Sequence, residues 1–300
     1  LGLALLIVFL GLAAIDFDLS GVPAERLTMI GSPDSPIPFH TLFTGMIFIQ
    51  IFYWSTNQNL TQRAMAAPTI KEAQKGVMAA AIIRILIVPP IVVIPGIVAY
   101  QLFGDVGDAA YGRLIAEILP PWLSGAFAAM VAAAGITTFS AVLNSSVALY
   151  SVDFHEQFVG EVKDHWKLAA AVSALLTITS IALVTVYIAA SQADPEDFSI
   201  INLLQQLNGV LSMPILSAFV AGLLFRNVDA LAAIAGVILG VALYGTFTFW
   251  WQPQGMIAMH YIDFMVVTLV TSVLAALSVN RVLGNRAEFD GFRRRGEATA

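Results

Sequence analysis

Apolar residues in this chain come in long blocks, at roughly 41–60, 76–103, 122–150, 166–190, 198–226, 228–250 and 258–281, separated by short polar stretches. Each block reaches the about 20 residues that an α-helix needs to cross a hydrocarbon core ~30 Å thick. None alternates apolar and polar positions as a barrel strand does, and backbone groups in lipid must bond within their own segment. The pattern therefore predicts seven transmembrane helices. A further apolar block, LGLALLIVFLGLAAI at 1–15, is about five residues short of a span. It is expected to be the end of a truncated transmembrane helix, in a chain lacking an N-terminal portion.

Composition agrees with the blocks. The 300 residues are 58% hydrophobic and 11% charged, against about 25% charged in soluble domains. The fold class is an all-α polytopic membrane protein, a helical bundle. There is no cysteine, hence no disulfide framework. The net charge of −6 lies mostly in the loops and leaves no basic footprint for nucleic acid.

Basic residues orient the bundle. The loop at 61–75 carries Arg63, Lys71 and Lys75 against Glu72, and the tail carries Arg281, Arg286, Arg293, Arg294 and Arg295, which assigns both to the cytoplasm. Alternation then places outside the stretch 16–40, with Asp16, Asp18, Glu25 and Asp34 against Arg26, and the acidic loops around Asp105 and Asp108 and around Asp194, Glu196 and Asp197. The loop 151–167 has to be cytoplasmic although Asp153, Glu156, Glu161 and Asp164 outnumber Lys163 and Lys167. Acidic residues count little in the rule, so the topology is kept.

Polar residues inside the spans carry the candidate chemistry. In AAAGITTFSAVLNSS at 132–146, Ala134, Thr137, Thr138, Ala141 and Ser145 fall on one helical stripe. Small residues of this kind let helices approach, and a Ser or Thr hydroxyl can bond the carbonyl a turn back. Hydroxyl and carbonyl oxygens are equally the hard ligands that a small alkali cation accepts, and the Thr137 and Thr138 hydroxyls beside a freed carbonyl at Ala134 would supply three. Spacing leaves both readings open. Arg84 lies eight residues from Gly76, about 12 Å, marginal for snorkelling to the interface. An intramembrane arginine is paired and functional, or else a structural charge between helices. Pro89, Pro90 and Pro95 are expected to kink their span. GVILG at 236–240 marks helix packing, and HEQFV at 155–159 has no second histidine for a zinc site. The sequons at Asn59 and Asn144 fall at a cytoplasmic end and inside a span, so neither is expected to carry glycan.

The motifs YWSTNQ at 53–58, QR at 62–63, EAQKG at 72–76 and IVPPIVVIPGIVAY at 87–100 follow one another in an order that resembles the sodium:solute symporter family, in particular its sodium/sugar cotransporter branch. The resemblance continues through ITTFSAVLNSS at 136–146 and LLQQLNGVLSMPILSAFVAGLLF at 203–225. It implies a core of two inverted five-helix repeats with substrate and ion held near mid-membrane by broken helices. Residues 1–15 then resemble the end of core helix five, 16–40 an extracellular loop, 41–226 the second inverted repeat, 227–281 two peripheral helices and 282–300 a cytoplasmic tail.

The resemblance also implies roles. Sodium binding falls on Ala134, Thr137 and Thr138, with threonines where many relatives carry serines. An inner aromatic gate falls on Tyr53, whose rival role is an interfacial belt aromatic. Substrate binding falls on Gln50, which keeps the amide of an asparagine, on Arg84, which replaces a lysine, and on Gln205, otherwise a water-facing helix start. The implied function is sodium-coupled import of a small polar solute, a sugar or a related polyol or sugar acid, by alternating access across the plasma (inner) membrane. The C-terminus is cytoplasmic and sodium is the coupling ion, with no other cofactor. A non-transporting solute sensor on the same fold is the alternative. A membrane-embedded enzyme is disfavoured, since the spans contain no cysteine, no paired histidines and no carboxylate dyad.

Overall fold

The computed structural model describes residues 1–30, 35, 37–193 and 200–291. Asp34, the acidic group Asp194, Glu196 and Asp197, and the tail arginines Arg293, Arg294 and Arg295 lie outside the described residues. In chain order the helices are α1 (Gly2–Ala14), α2 (Gly45–Ser55), α3 (Gln58–Met65), α4 (Ile70–Phe103), α5 (Ala110–Ile118), α6 (Pro121–Leu149), α7 (Glu156–Phe158), α8 (His165–Ala193), α9 (Ile200–Leu224), α10 (Ala230–Thr246) and α11 (Tyr261–Val282). Wider π turns at Tyr150–His155 and Phe247–Trp251 extend α6 and α10. Two two-residue strands, β1 (Phe225–Arg226) and β2 (Glu288–Phe289), pair antiparallel.

Among the described residues six helices are long and apolar enough to cross a membrane, where the hydropathy blocks predict seven. The block at 41–60 makes the difference. It is divided into a 3-10 turn over Phe39–Phe43, the 11-residue α2 and then α3. At Thr44 the backbone leaves helical geometry (φ −113°, ψ −110°), and at Thr56 it leaves again. An 11-residue helix is only about 16 Å long, half of what a span needs. Hydropathy averages over the break at Thr44 because the residues on both sides remain apolar, whereas the polar end of the block beyond Ser55 belongs to α3.

The chain divides into two compact units, 1–27 with 58–199 and 28–57 with 200–300. In the first unit, α1 packs on α4 and α5. Gly11 faces Val98 and Leu114, and Ile15, Val98, Ala99 and Leu114 form one core cluster while Ile7, Ile115 and Leu119 form another. The amphipathic α5, which the long-block pattern passes over, supplies Leu114 and Ile115 to these clusters. α4 begins at a capping box: Thr69 Oγ1 accepts from the Glu72 backbone N–H at 3.3 Å, three residues along. The helix therefore starts six residues before the apolar block does, and it stays helical through Pro89, Pro90 and Pro95 to a left-handed Gly104 (φ +73°). Arg26 joins the loop after α1 to the end of α4, paired with Asp105 at 2.8 Å and stacked 4.0 Å over the Tyr100 ring.

In the second unit, α9, α10 and α11 pack on one another and α2 lies against α9 and α11. GVILG does what small-residue motifs do: Gly236 and Gly240 bring α10 so near α11 that an added Cβ would meet the Ser272 carbonyl at 2.6 Å and the Ser272 hydroxyl respectively. Ile49, Met213, Tyr244, Phe247 and Met265 fill the core, with Phe247 stacked on Phe264 at 3.7 Å. The buried Asn280 amide accepts from the Asp229 N–H at 2.8 Å and donates to the Asn227 carbonyl at 2.9 Å, pinning the start of α10 to the end of α11. At the opposite end of these helices the connection 252–259 is largely exposed, with a left-handed Gly255 (φ +68°).

Candidate functional site

The candidate residues fall in both units, and each group is described by itself. In the first unit, α6 runs unbroken from Pro121 to Leu149 through the polar stripe. Thr137 and Thr138 lie 16 and 17 residues from its start, about 25 Å along and near mid-span. Thr137 Oγ1 donates to the carbonyls of Ala133 at 2.9 Å and Ala134 at 3.0 Å. The Ala134 carbonyl is thus shared within a continuous helix and not freed by a break, a departure from the sequence expectation. The hydroxyl proton of Thr137 is spent on its own backbone, so its oxygen turns only lone pairs outward. The side chains of Ala134, Thr137 and Thr138 are exposed.

Ser145, the last member of the stripe, is buried at 6% exposure and donates to the Ala141 carbonyl at 3.0 Å. It also accepts from Gln62 Nε2 of α3 at 2.9 Å. Arg84 lies in the middle of α4 and is exposed. Fourteen residues, about 21 Å of helix, separate it from Ile70.

In the second unit, Leu42 of the 3-10 turn and Met46, Ile47, Gln50, Ile51 and Trp54 of α2 line one groove of about 500 Å³. The half-buried Gln205 of α9 reaches the same helix, its Nε2 donating to Met46 Sδ at 3.8 Å. Met46 lies one turn from Gln50, so the structure brings two of the three candidate solute-binding residues to one neighbourhood. Tyr53 follows on α2, half-buried and edge-to-face with Trp54, ring centroids 5.8 Å apart. The N-terminal end of α2 is fixed to α11. Thr44 Oγ1 donates to Asp263 Oδ1 at 2.5 Å, His40 Nε2 lies 3.0 Å from Asp263 Oδ2, and Gly45 backs directly onto the Ile262 carbonyl.

Met46, Gln62, His40 and Asp263 escape the sequence reading. Asp263 has a signal, a carboxylate just inside an apolar block. Gln62 stands in the QR motif at 62–63, which gives it no role and no partner, and Met46 looks like any apolar residue of a span. No group of three or more histidine or acidic side chains that could hold a metal ion occurs among the described residues.

Comparison with known proteins gives these residues their context. The chain is 32% identical over 233 residues to an uncharacterised symporter of Escherichia coli, covering 77% of this chain and 40% of that protein. It is 30% identical over 258 residues to the sodium/glucose cotransporter of Vibrio parahaemolyticus, covering 78% and 44%. To the sodium/myo-inositol cotransporter 2 of Rattus norvegicus it is 24% identical over 230 residues, covering 70% and 33%. The chain thus spans less than half the length of the curated relatives it matches. Residues 24–240, more than two thirds of the sequence, match the model of the sodium:solute symporter family, and the chain belongs to that family.

Proposed function

We propose that the complete protein is a sodium-coupled secondary active symporter that imports a small polar solute, a sugar or a related polyol, by alternating access. Family membership supports coupling to sodium, and relatives named for glucose and myo-inositol support a polyhydroxylated solute. One observation carries the reading to this chain's own residues. Thr137, near the middle of a long apolar helix, uses its proton on its own carbonyls and leaves lone pairs facing out, the state in which a hydroxyl ligates a cation.

In this reading the Thr137 and Thr138 hydroxyls bind sodium, with Ala134 beside them on the stripe, while Gln50 in the α2 groove, Gln205 on α9 and Arg84 on α4 bind the solute. Gln50 and Gln205 offer amide donors and acceptors, and Arg84 a planar fork of donors, suited to sugar hydroxyls. Tyr53, braced on Trp54, closes the path inward. Sodium bound on α6 favours the outward-open state, which holds solute better, and the inward sodium gradient drives the cycle. The protein resides in the plasma (inner) membrane with its C-terminus in the cytoplasm, and residues 41–226 form the second inverted repeat.

The experiment is uptake by the complete protein in proteoliposomes, with an inward sodium gradient or with potassium in its place, across glucose, galactose, myo-inositol and glucuronate. Accumulation of one of these with sodium alone is expected. Sodium-independent uptake, or binding without accumulation, rejects the symporter in favour of a facilitator or a sensor.

A further inference from the structure

We propose that the hydrogen bond from Gln62 to Ser145 is the link by which ion binding on α6 reaches the inner gate, with Gln62 as the positioning residue. The proposal rests on the reading of α6 as the ion-binding helix and of Tyr53 as the gate.

The geometry fixes the direction of the bond. Ser145 has one hydroxyl proton, and it goes to the Ala141 carbonyl at 3.0 Å. The contact with Gln62 at 2.9 Å therefore has the glutamine amide as donor, which sets the orientation of that amide. Ser145 is buried, so losing either partner leaves a polar group unsatisfied and the pair holds its arrangement.

The position of the bond connects it with function. Ser145 belongs to the same stripe as Ala134, Thr137 and Thr138, seven residues past Thr138, about two turns or 10 Å down a continuous helix. A shift of the stripe on binding an ion is carried to Ser145 by that helix. Gln62 sits on α3, a helix of only eight residues that touches α4 and α6. α3 follows the gate-bearing α2 after just Thr56 and Asn57. Such a short connection cannot absorb much displacement, so α3 is placed to hand the movement of α6 to the end of α2.

The test uses the complete protein with its other cysteines removed, since residues 1–300 contain none. Ser55→Cys, on the exposed end of α2, is labelled with an impermeant maleimide from the cytoplasmic side with and without sodium. Binding of radioactive sodium is measured in parallel. Gln62→Met and Ser145→Ala are each expected to bind sodium as before, while the sodium effect on labelling and on uptake falls about fivefold, the scale of one net hydrogen bond. The double variant should fall no further than either single, and Ser145→Thr, which keeps the hydroxyl, should restore the effect.

Retention of the full sodium effect in both singles, a double variant equal to the product of the singles, or Ser145→Thr behaving like Ser145→Ala overturns the link. So does a loss of folded protein with an unchanged response per folded molecule, which makes the bond a docking contact only. Thr138→Ala is run alongside. Unchanged sodium binding in that variant overturns the ion site itself and removes the input of the relay, a result separable from loss of response with binding intact.

Discussion

Thr138 is the residue at which the cation reading of the α6 stripe parts from mere helix packing. In the complete protein, Thr138→Ala removes one hard oxygen and little volume, so the sodium concentration for half-maximal uptake should rise roughly tenfold with the amount of protein unchanged. Thr138→Ser should be nearly silent, because the oxygen stays. Unaltered sodium dependence in Thr138→Ala would return the stripe to packing. Arg84 decides the solute class. If it meets a carboxylate, Arg84→Lys loses the bidentate fork and weakens an acid by about tenfold while a neutral sugar changes little. Arg84→Gln should raise the apparent KM at constant protein level, and a drop in folded protein instead would make Arg84 a structural charge. Both residues are legible in sequence because each is polar within an apolar run. Gln62 is legible only as part of the QR motif, since nothing there shows its partner. The Ala134 carbonyl escapes for another reason: whether a backbone oxygen is free depends on the path of the helix, which side-chain letters do not encode.

At the scale of elements, hydropathy places the six long helices to within a few residues except at the start of α4, where the capping box at Thr69 extends the helix into polar sequence. It fails at 41–60, where the break at Thr44 falls among apolar residues and the one at Thr56 opens onto the polar α3. Gly45 shows what sets that break. A Cβ there would collide with the Ile262 carbonyl, a backbone atom that cannot swing away. Gly45→Ala should therefore lower the yield of folded protein sharply, with a cost of about 2 kcal/mol or more, whereas Gly76→Ala, with nothing within 4 Å, should be tolerated. Fluorescence-detected size exclusion of the two variants checks the contrast, and equal yields would mean that α2 does not need this close approach.

The loop after α1 gives a pH prediction. The hydrogen bond from Arg26, and after it the Gly107 backbone N–H, hold the Asp105 carboxyl below its ordinary value of 3.8. A depressed value means that the stabilisation is present above 3.8 and is lost as pH falls below it. The pair is exposed, so its worth is under ~1 kcal/mol. Thermal melts should show a small deficit of Asp105→Asn near neutrality that fades as pH falls below 3.8. A deficit that persists in acid would assign the effect to something other than this ion pair.

For the whole molecule, the loop charges predict which chain ends share a side, and contacts within each unit agree with that pairing. Arg26 meets Asp105, His40 meets Asp263, Gln62 meets the C-terminal end of α6 at Ser145, and β1 meets β2. The third of these sets the acidic loop 151–167 on the same side as 61–75, which its own charge does not do. What the sequence alone leaves unreadable is distance between remote residues: helices are local, and their partners are not.

The two ends of the α9–α10–α11 group differ in how firmly the chain is tied, and that difference makes the protein a usable reporter of its own orientation. At one end the stretch 225–229 is sewn down by β2 and by both halves of the Asn280 amide, so foreign sequence there has to tear several bonds at once. At the other, 253–256 is exposed around a left-handed glycine, where an epitope can be spliced in at little cost to the fold. An epitope inserted after Gln254 should leave uptake within about twofold of the parent and be reached by antibody on intact cells. The same insertion after Asn227 should abolish folded protein. Antibody access at Gln254 only after permeabilisation would turn the whole topology over, and every outer loop named above would become an inner one.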